Sequence, residues 1–370
     1  MITRAISRSL LCSALLGQAL LSQTQAATAP SDTQWRSLNQ TIVAKHVLPR
    51  YQNFAEATTQ MAAASKALCL DATSENLSTA QQSYHQAMDA WQSIQHVRFG
   101  PIENLMRSFS VQYWPDKKNL TGKHINGLLS KQDETSLTAE FFRSASIAVK
   151  GLPAVERLLF DEAGLPVFAN NSYQCRLNAS ISQYLADLGQ HTAMEWQDYA
   201  TSFDEPGNGI SYYDTDIEAS TDLMKAMVEP VEVIRDLKIL RPLGTAKKDV
   251  NGKVKPRRSE SWRSSRSLRN IENNVATLHD LYSGQGDASF KALLSTSGHK
   301  DLADSIEANF VSVEKELQTI PGPMFSTIEQ PATQQQLRDL SANMKTLQYA
   351  LGDAMQVLDL QLGFNSRDGD

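Results

Sequence analysis

Residues 74–97 read SENLSTAQQSYHQAMDAWQSIQHV, and the spacing of their apolar side chains decides the fold class. Leu77, Ala80, Tyr84, Ala87, Met88, Trp91 and Ile94 recur at helical intervals along one stripe. That is one face of an α-helix, not the two-residue alternation of a half-buried strand. The same period runs upstream from Trp35 to Leu68, with Pro49 expected to kink the helix. Downstream it returns over Tyr173 to Phe203 and over Ile217 to Leu240, where Pro230 interrupts it. It then recurs over Ser261 to Tyr282, Leu302 to Ile320 and Leu337 to Leu358, with Gly363 where a C-terminal stop belongs. Alternating stretches are scarce. The expected fold is all-α, with two antiparallel helical bundles.

The chain has 370 residues, of which 41% are hydrophobic and 21% charged. This is the balance of a globular chain with a sizeable core, and the length favours two domains. The formal net charge of -6 argues against wrapping nucleic acid, whose phosphates demand a basic surface. At the N-terminus, Arg4 and Arg8 precede an apolar stretch from Ser9 to Leu21, shorter than the ~20 residues that span a bilayer. Thr24-Gln25-Ala26 follows with small residues at the positions a signal peptidase reads, so residues 1–26 are expected to be a cleaved signal peptide and the periplasm the destination. No later stretch is long and apolar enough to span a membrane.

Removing that segment removes Cys12 and leaves Cys69 and Cys175. In an oxidising compartment they are expected to form a disulfide worth about 3–5 kcal/mol; two separate buried thiols are the alternative. Residues 27–240 are assigned to an N-terminal bundle, 241–259 to a linker and 260–370 to a C-terminal bundle. The linker carries Pro242, Gly244, Gly252 and Pro256 among six Lys and Arg side chains from Lys247 to Arg258, and reads as a solvated basic loop.

The familiar catalytic motifs HExxH, GxSxG and GxxxxGK are absent. The histidines, at 46, 85, 96, 124, 191, 279 and 299, include no pair three or four residues apart, so none is a metal ligand by spacing. One stretch stands out: Lys150-Gly151-Leu152-Pro153-Ala154-Val155-Glu156-Arg157-Leu158-Leu159-Phe160. It resembles the signature G-x-H-x-x-E of the imelysin-like family, which includes iron-regulated envelope proteins and an insulin-cleaving metallopeptidase. In that signature a His and a Glu three apart share one helix face and can reach one metal ion. Here Gly151 and Glu156 hold the outer positions, and Pro153 stands where the His belongs.

Further segments carry the resemblance. They are Phe99-Gly100-Pro101-Ile102-Glu103, Tyr113-Trp114-Pro115-Asp116, Ser259-Glu260-Ser261-Trp262-Arg263-Ser264, Leu278 to Gly284, and Leu362-Gly363-Phe364-Asn365. The resemblance implies an imelysin-like fold and a ligand site in the cleft between the halves. Glu103, Trp114, Asp116, Gly151, Pro153, Trp262 and Arg263 are its candidate ligand-binding residues, and Glu156 its candidate metal ligand. Iron or zinc would be the metal, and the partner a metal, an iron-containing ligand or a peptide, or else another envelope protein. Without its His the signature favours a binding protein over a metallopeptidase, since a catalytic metal needs about three protein ligands. A purely structural account is also complete. Gly151 permits a close approach, Pro153 starts a helix where its missing N–H costs nothing, and Glu156 in the first turn gains about 0.3–1 kcal/mol from the helix dipole.

Overall fold

The computed structural model describes residues 28–246 and 252–360. The expected signal segment, Lys247 and Lys248 of the linker, and the motif around Gly363 lie outside the described residues. Helix α1 (Asp32–Ile42) opens on a capping box. Ser31 accepts the Gln34 N–H, and the Gln34 side chain accepts the Ser31 N–H in return. The helix passes through a π turn (Val43–Val47) into α2 (Leu48–Leu70), and α3 (Ser74–Gln92) starts on a Thr73 cap. Four short helices follow: α4 (Arg107–Val111), α5 (Leu120–Lys131), α6 (Ala139–Ser144) and α7 (Leu152–Leu159). Then come α8 (Tyr173–Ala200) and α9 (Asp216–Val233), which continues through a second π turn (Ile234–Leu240) into α10 (Arg241–Leu243). The rest is α11 (Ser267–Ser283), α12 (Phe290–Thr296), α13 (Lys300–Leu317), α14 (Met324–Thr327) and α15 (Pro331–Val357). The described residues contain no strand, so the all-α expectation holds.

The two prolines expected to disturb helices do so without ending them. Pro49 sits in the first turn of α2, immediately after one π turn. Pro230 lies inside α9, and its carbonyl accepts the Ile234 N–H where the second π turn begins. A proline removes one N–H from the ladder, and a π turn is a wider winding that lets the helix carry on.

The first half is organised on α2, which lies along α8 and α3. Tyr51 stacks on Trp196 at 5.1 Å, and Phe54 meets Trp91 at 5.4 Å between ring centroids. Such aromatics contribute about 1.5–3 kcal/mol each when fully buried. Cys69, near the end of α2, and Cys175, in the first turn of α8, form the expected disulfide. In the second half α13 packs on α15, α12 and α11. Helix α9 touches both α1 and α15, so one apolar core runs from Trp35 to Leu360.

One expected element is shorter than its periodicity suggested. The helix assigned from Ser261 begins only at Ser267. Residues 260–265 form turns, with Ser261 (φ 47°) and Ser265 (φ 59°) in the left-handed region, which a right-handed helix cannot contain.

Candidate functional site between α7 and the 260–266 turn

Helix α7 starts on Gly151 at φ 89°, and a Cβ there would lie 2.6 Å from the carbonyl oxygens of both Ser110 and Val111. Only glycine serves both demands. Gly151→Ala is therefore expected to lower stability by about 2–4 kcal/mol, read as a drop in the urea midpoint with an unchanged slope. Pro153 occupies the first turn of α7, as the structural account required.

Glu156 departs from that account. It is the fifth residue of α7, beyond the first turn, and its carboxylate does not cap the helix start. It is 6% exposed, and its Oε1 accepts the Ser264 N–H at 2.9 Å and the Ser264 hydroxyl at 2.7 Å. Burial raises the Glu156 pKa; the two bonds from Ser264 and the charge of Arg263 partly offset it. Glu156 is thus a strut tying α7 to the 260–266 turn, whose left-handed residues flank Ser264. Next to it, the Arg263 guanidinium lies 4.1 Å above the Trp262 ring, and Phe325 stacks on the same indole at 4.9 Å. Trp262 and Arg263 are half-buried and form a cationic, aromatic surface next to the strut.

The structure brings Gly151, Pro153, Glu156, Trp262 and Arg263 together and leaves the remaining candidates apart. Glu103 is exposed and pairs with Arg98 at 3.4 Å, not with Glu156. Asp116 accepts the Leu120 and Thr121 N–H groups, both at 2.8 Å, and so caps α5. Trp114 is half-buried, two residues beyond Gln112.

Gln112 leads into a buried polar layer that the sequence did not reveal. Its amide donates to Glu260 at 2.9 Å and its carbonyl accepts from the Trp91 indole at 2.7 Å. Asn270 donates to the other Glu260 oxygen at 2.9 Å, and the Lys238 ammonium reaches that oxygen at 2.8 Å. Lys238 and Glu260 are only 3% and 2% exposed. The ammonium also donates to Gln92 (2.8 Å) and Asn274 (2.6 Å), which accounts for its three protons. Burial lowers the lysine pKa against the pull of Glu260. Arg266, equally buried, donates to Asp89 and Asn270 and faces His85 at 3.2 Å. Burial with two neighbouring arginines takes His85 down to about 4. Two histidines that looked scattered are also bonded, His46 to His96 at 3.0 Å.

A signal for Lys238 was present. It follows Met227, Val231 and Ile234 on one apolar helical stripe, where a lysine is rarely found without a buried partner. Glu260 and Ser264 lie inside the Ser259–Ser264 segment, where Trp262 and Arg263 are the residues with evident ligand-binding chemistry.

The fold and the Gly151–Pro153–Glu156 turn define an all-helical protein of imelysin type. The model of the imelysin family, peptidase M75, matches residues 47–351, and the chain belongs to that family. An imelysin-like protein from Psychrobacter arcticum 273-4 superposes with a TM-score of 0.74 at 19% identity, covering 92% of this chain and 100% of its own. A putative iron-regulated protein A precursor from Parabacteroides distasonis ATCC 8503 gives 0.70 at 15% identity, over 89% and 98%. No curated protein matches.

A metal fits this site poorly. Among the described residues no group of three or more His, Cys, Asp and Glu side chains could hold an ion. Pro153 offers no donor atom, one Glu156 oxygen is bonded twice to Ser264, and the charge of Arg263 opposes a cation.

Proposed function

We propose that this protein is an exported, periplasmic binding protein of the imelysin family that lacks peptidase chemistry. It serves iron or metal acquisition through a ligand site in the cleft between two helical bundles joined near residues 241–259. The bond from Ser264 to Glu156 carries this reading. It converts the family's metal-binding glutamate into an internal strut, beside a cationic, aromatic surface suited to an organic ligand such as an iron complex or a peptide. The similarity to a protein named as iron-regulated supports the iron connection. Among the described residues no helix is long and apolar enough to cross a membrane.

The test is elemental analysis with iron and zinc titration on wild type, Glu156→Ala and Pro153→His. Wild type should retain less than stoichiometric metal, and Glu156→Ala should change metal binding less than twofold while lowering stability. Pro153→His, which restores the signature imidazole, is the variant in which zinc affinity should rise. One tightly held zinc per wild-type chain, with proteolysis abolished by a chelator, would instead establish the metallopeptidase.

A further inference from the structure

Lys238, Arg266 and Arg50 each meet a carboxylate, respectively Glu260, Asp89 and Asp280. The arginines around Trp262 do not. Three separate elements bring them together: Arg157 stands on α7, Arg257 on the short turn Pro256–Arg258, and Arg263 on the 260–266 turn. Arg157 donates to the neutral Asn126 at 3.2 Å. Among the described residues Arg257 and Arg263 make no hydrogen bond or ion pair; each only faces the Trp262 ring, at 5.6 Å and 4.1 Å from its centroid. The two guanidiniums are therefore no more than about 10 Å apart, one Debye length at 0.1 M salt, so solvent ions do not fully screen their repulsion.

Arg263 is half-buried, and burial together with Arg157 and Arg257 lowers its pKa against the pull of Glu156 and Glu162. Glu156 does not neutralise it, because Oε1 is committed to the Ser264 N–H and hydroxyl. An arginine stays charged all the same. The result is a concentration of positive charge on a chain whose formal net charge is -6. Mutual repulsion of this kind costs stability, and such a cost is expected where function needs the charges. A guanidinium held over an indole uses its face and leaves its in-plane N–H donors for an acceptor. That planar fork matches the paired oxygens of a carboxylate or a phosphate.

We infer that Arg157, Arg257 and Arg263 are the recognition end of the proposed ligand site, and that its ligand is a small polyvalent oxyanion. The inference rests on the ligand-site reading above for its location and not on iron.

The test is isothermal titration calorimetry on the full exported chain, with citrate and pyrophosphate as probes and acetate as the monovalent control. Citrate or pyrophosphate should bind more tightly than acetate by about tenfold or more, and more weakly as salt rises. The tighter of the two tells a carboxylate ligand from a phosphate one. Arg263→Lys keeps the charge and loses the fork, and should weaken binding about tenfold. Arg257→Gln alters an exposed side chain with no hydrogen bond to lose, so the fold should be unaffected while binding weakens about threefold. Lys345→Gln removes an exposed charge on α15 and should leave binding unchanged. Equal binding of all three anions, or equal weakening by Arg257→Gln and Lys345→Gln, would overturn the proposal. Ferric citrate separates the two readings: binding of citrate that is lost on loading with iron would end the iron reading and leave the anion site standing.

Discussion

Lys238→Met is expected to lower the unfolding free energy by about 3–5 kcal/mol, because it leaves the Glu260 carboxylate buried without its counter-charge. Gln112 and Asn270 would still donate to that carboxylate, but neutral amides do not replace a full charge. The variant also deprives Gln92 and Asn274 of the donor their side-chain oxygens share. Glu260→Gln alone should cost less, since the lysine, its pKa already lowered by burial, can shed its proton. The double variant should cost clearly less than the sum of the singles, with a coupling of about 2 kcal/mol or more. Urea unfolding followed by far-ultraviolet circular dichroism measures all four corners of the cycle. Additive effects would mean that the ammonium and the carboxylate stabilise the protein independently. The pair joins the π turn after α9 to the turn before α11, so its loss should also loosen the grip of the 260–266 segment on Glu156.

The helices were legible because an amphipathic stripe records which face is buried. Leu77, Ala80, Tyr84 and Trp91 show it, and all but Leu77 end fully buried. Gly151 and Pro153 were legible as a helix start because each has a backbone property that survives without tertiary context. The partner of Glu156 was not. Ser264 reaches it only because Ser261 and Ser265 turn left-handed, in a stretch whose composition permits a helix. Nor was the polar layer, whose contacts join distant segments: Gln112 and Glu260 stand 148 positions apart, and His46 and His96 stand 50 apart. Periodicity reports that a position faces inward. It is silent on which inward polar group will meet which. The two π turns were hidden for a related reason, since only the prolines near them hint that the winding changes.

Removing the Cys69–Cys175 disulfide, as Cys69→Ala with Cys175→Ala, is expected to cost about 4–5 kcal/mol. The two cysteines are 106 residues apart. In the chain-entropy account a loop of about 100 residues restricts the unfolded chain by roughly that much. The bond joins the end of α2 to the start of α8, helices that already pack along their length. Both sulfurs sit in the core, Cys175 completely, so alanine leaves only a small void and the loss should come from the unfolded state. Two measurements separate these contributions. Wild type unfolded in reductant should match the double variant to within about 1 kcal/mol, because both share the open unfolded chain. The double variant should also lose most of its stability through slower folding, with unfolding little faster, if the bond acts on the unfolded ensemble. A chain kept in a reducing compartment would forgo this stabilisation, which ties the stability of the fold to the export we propose.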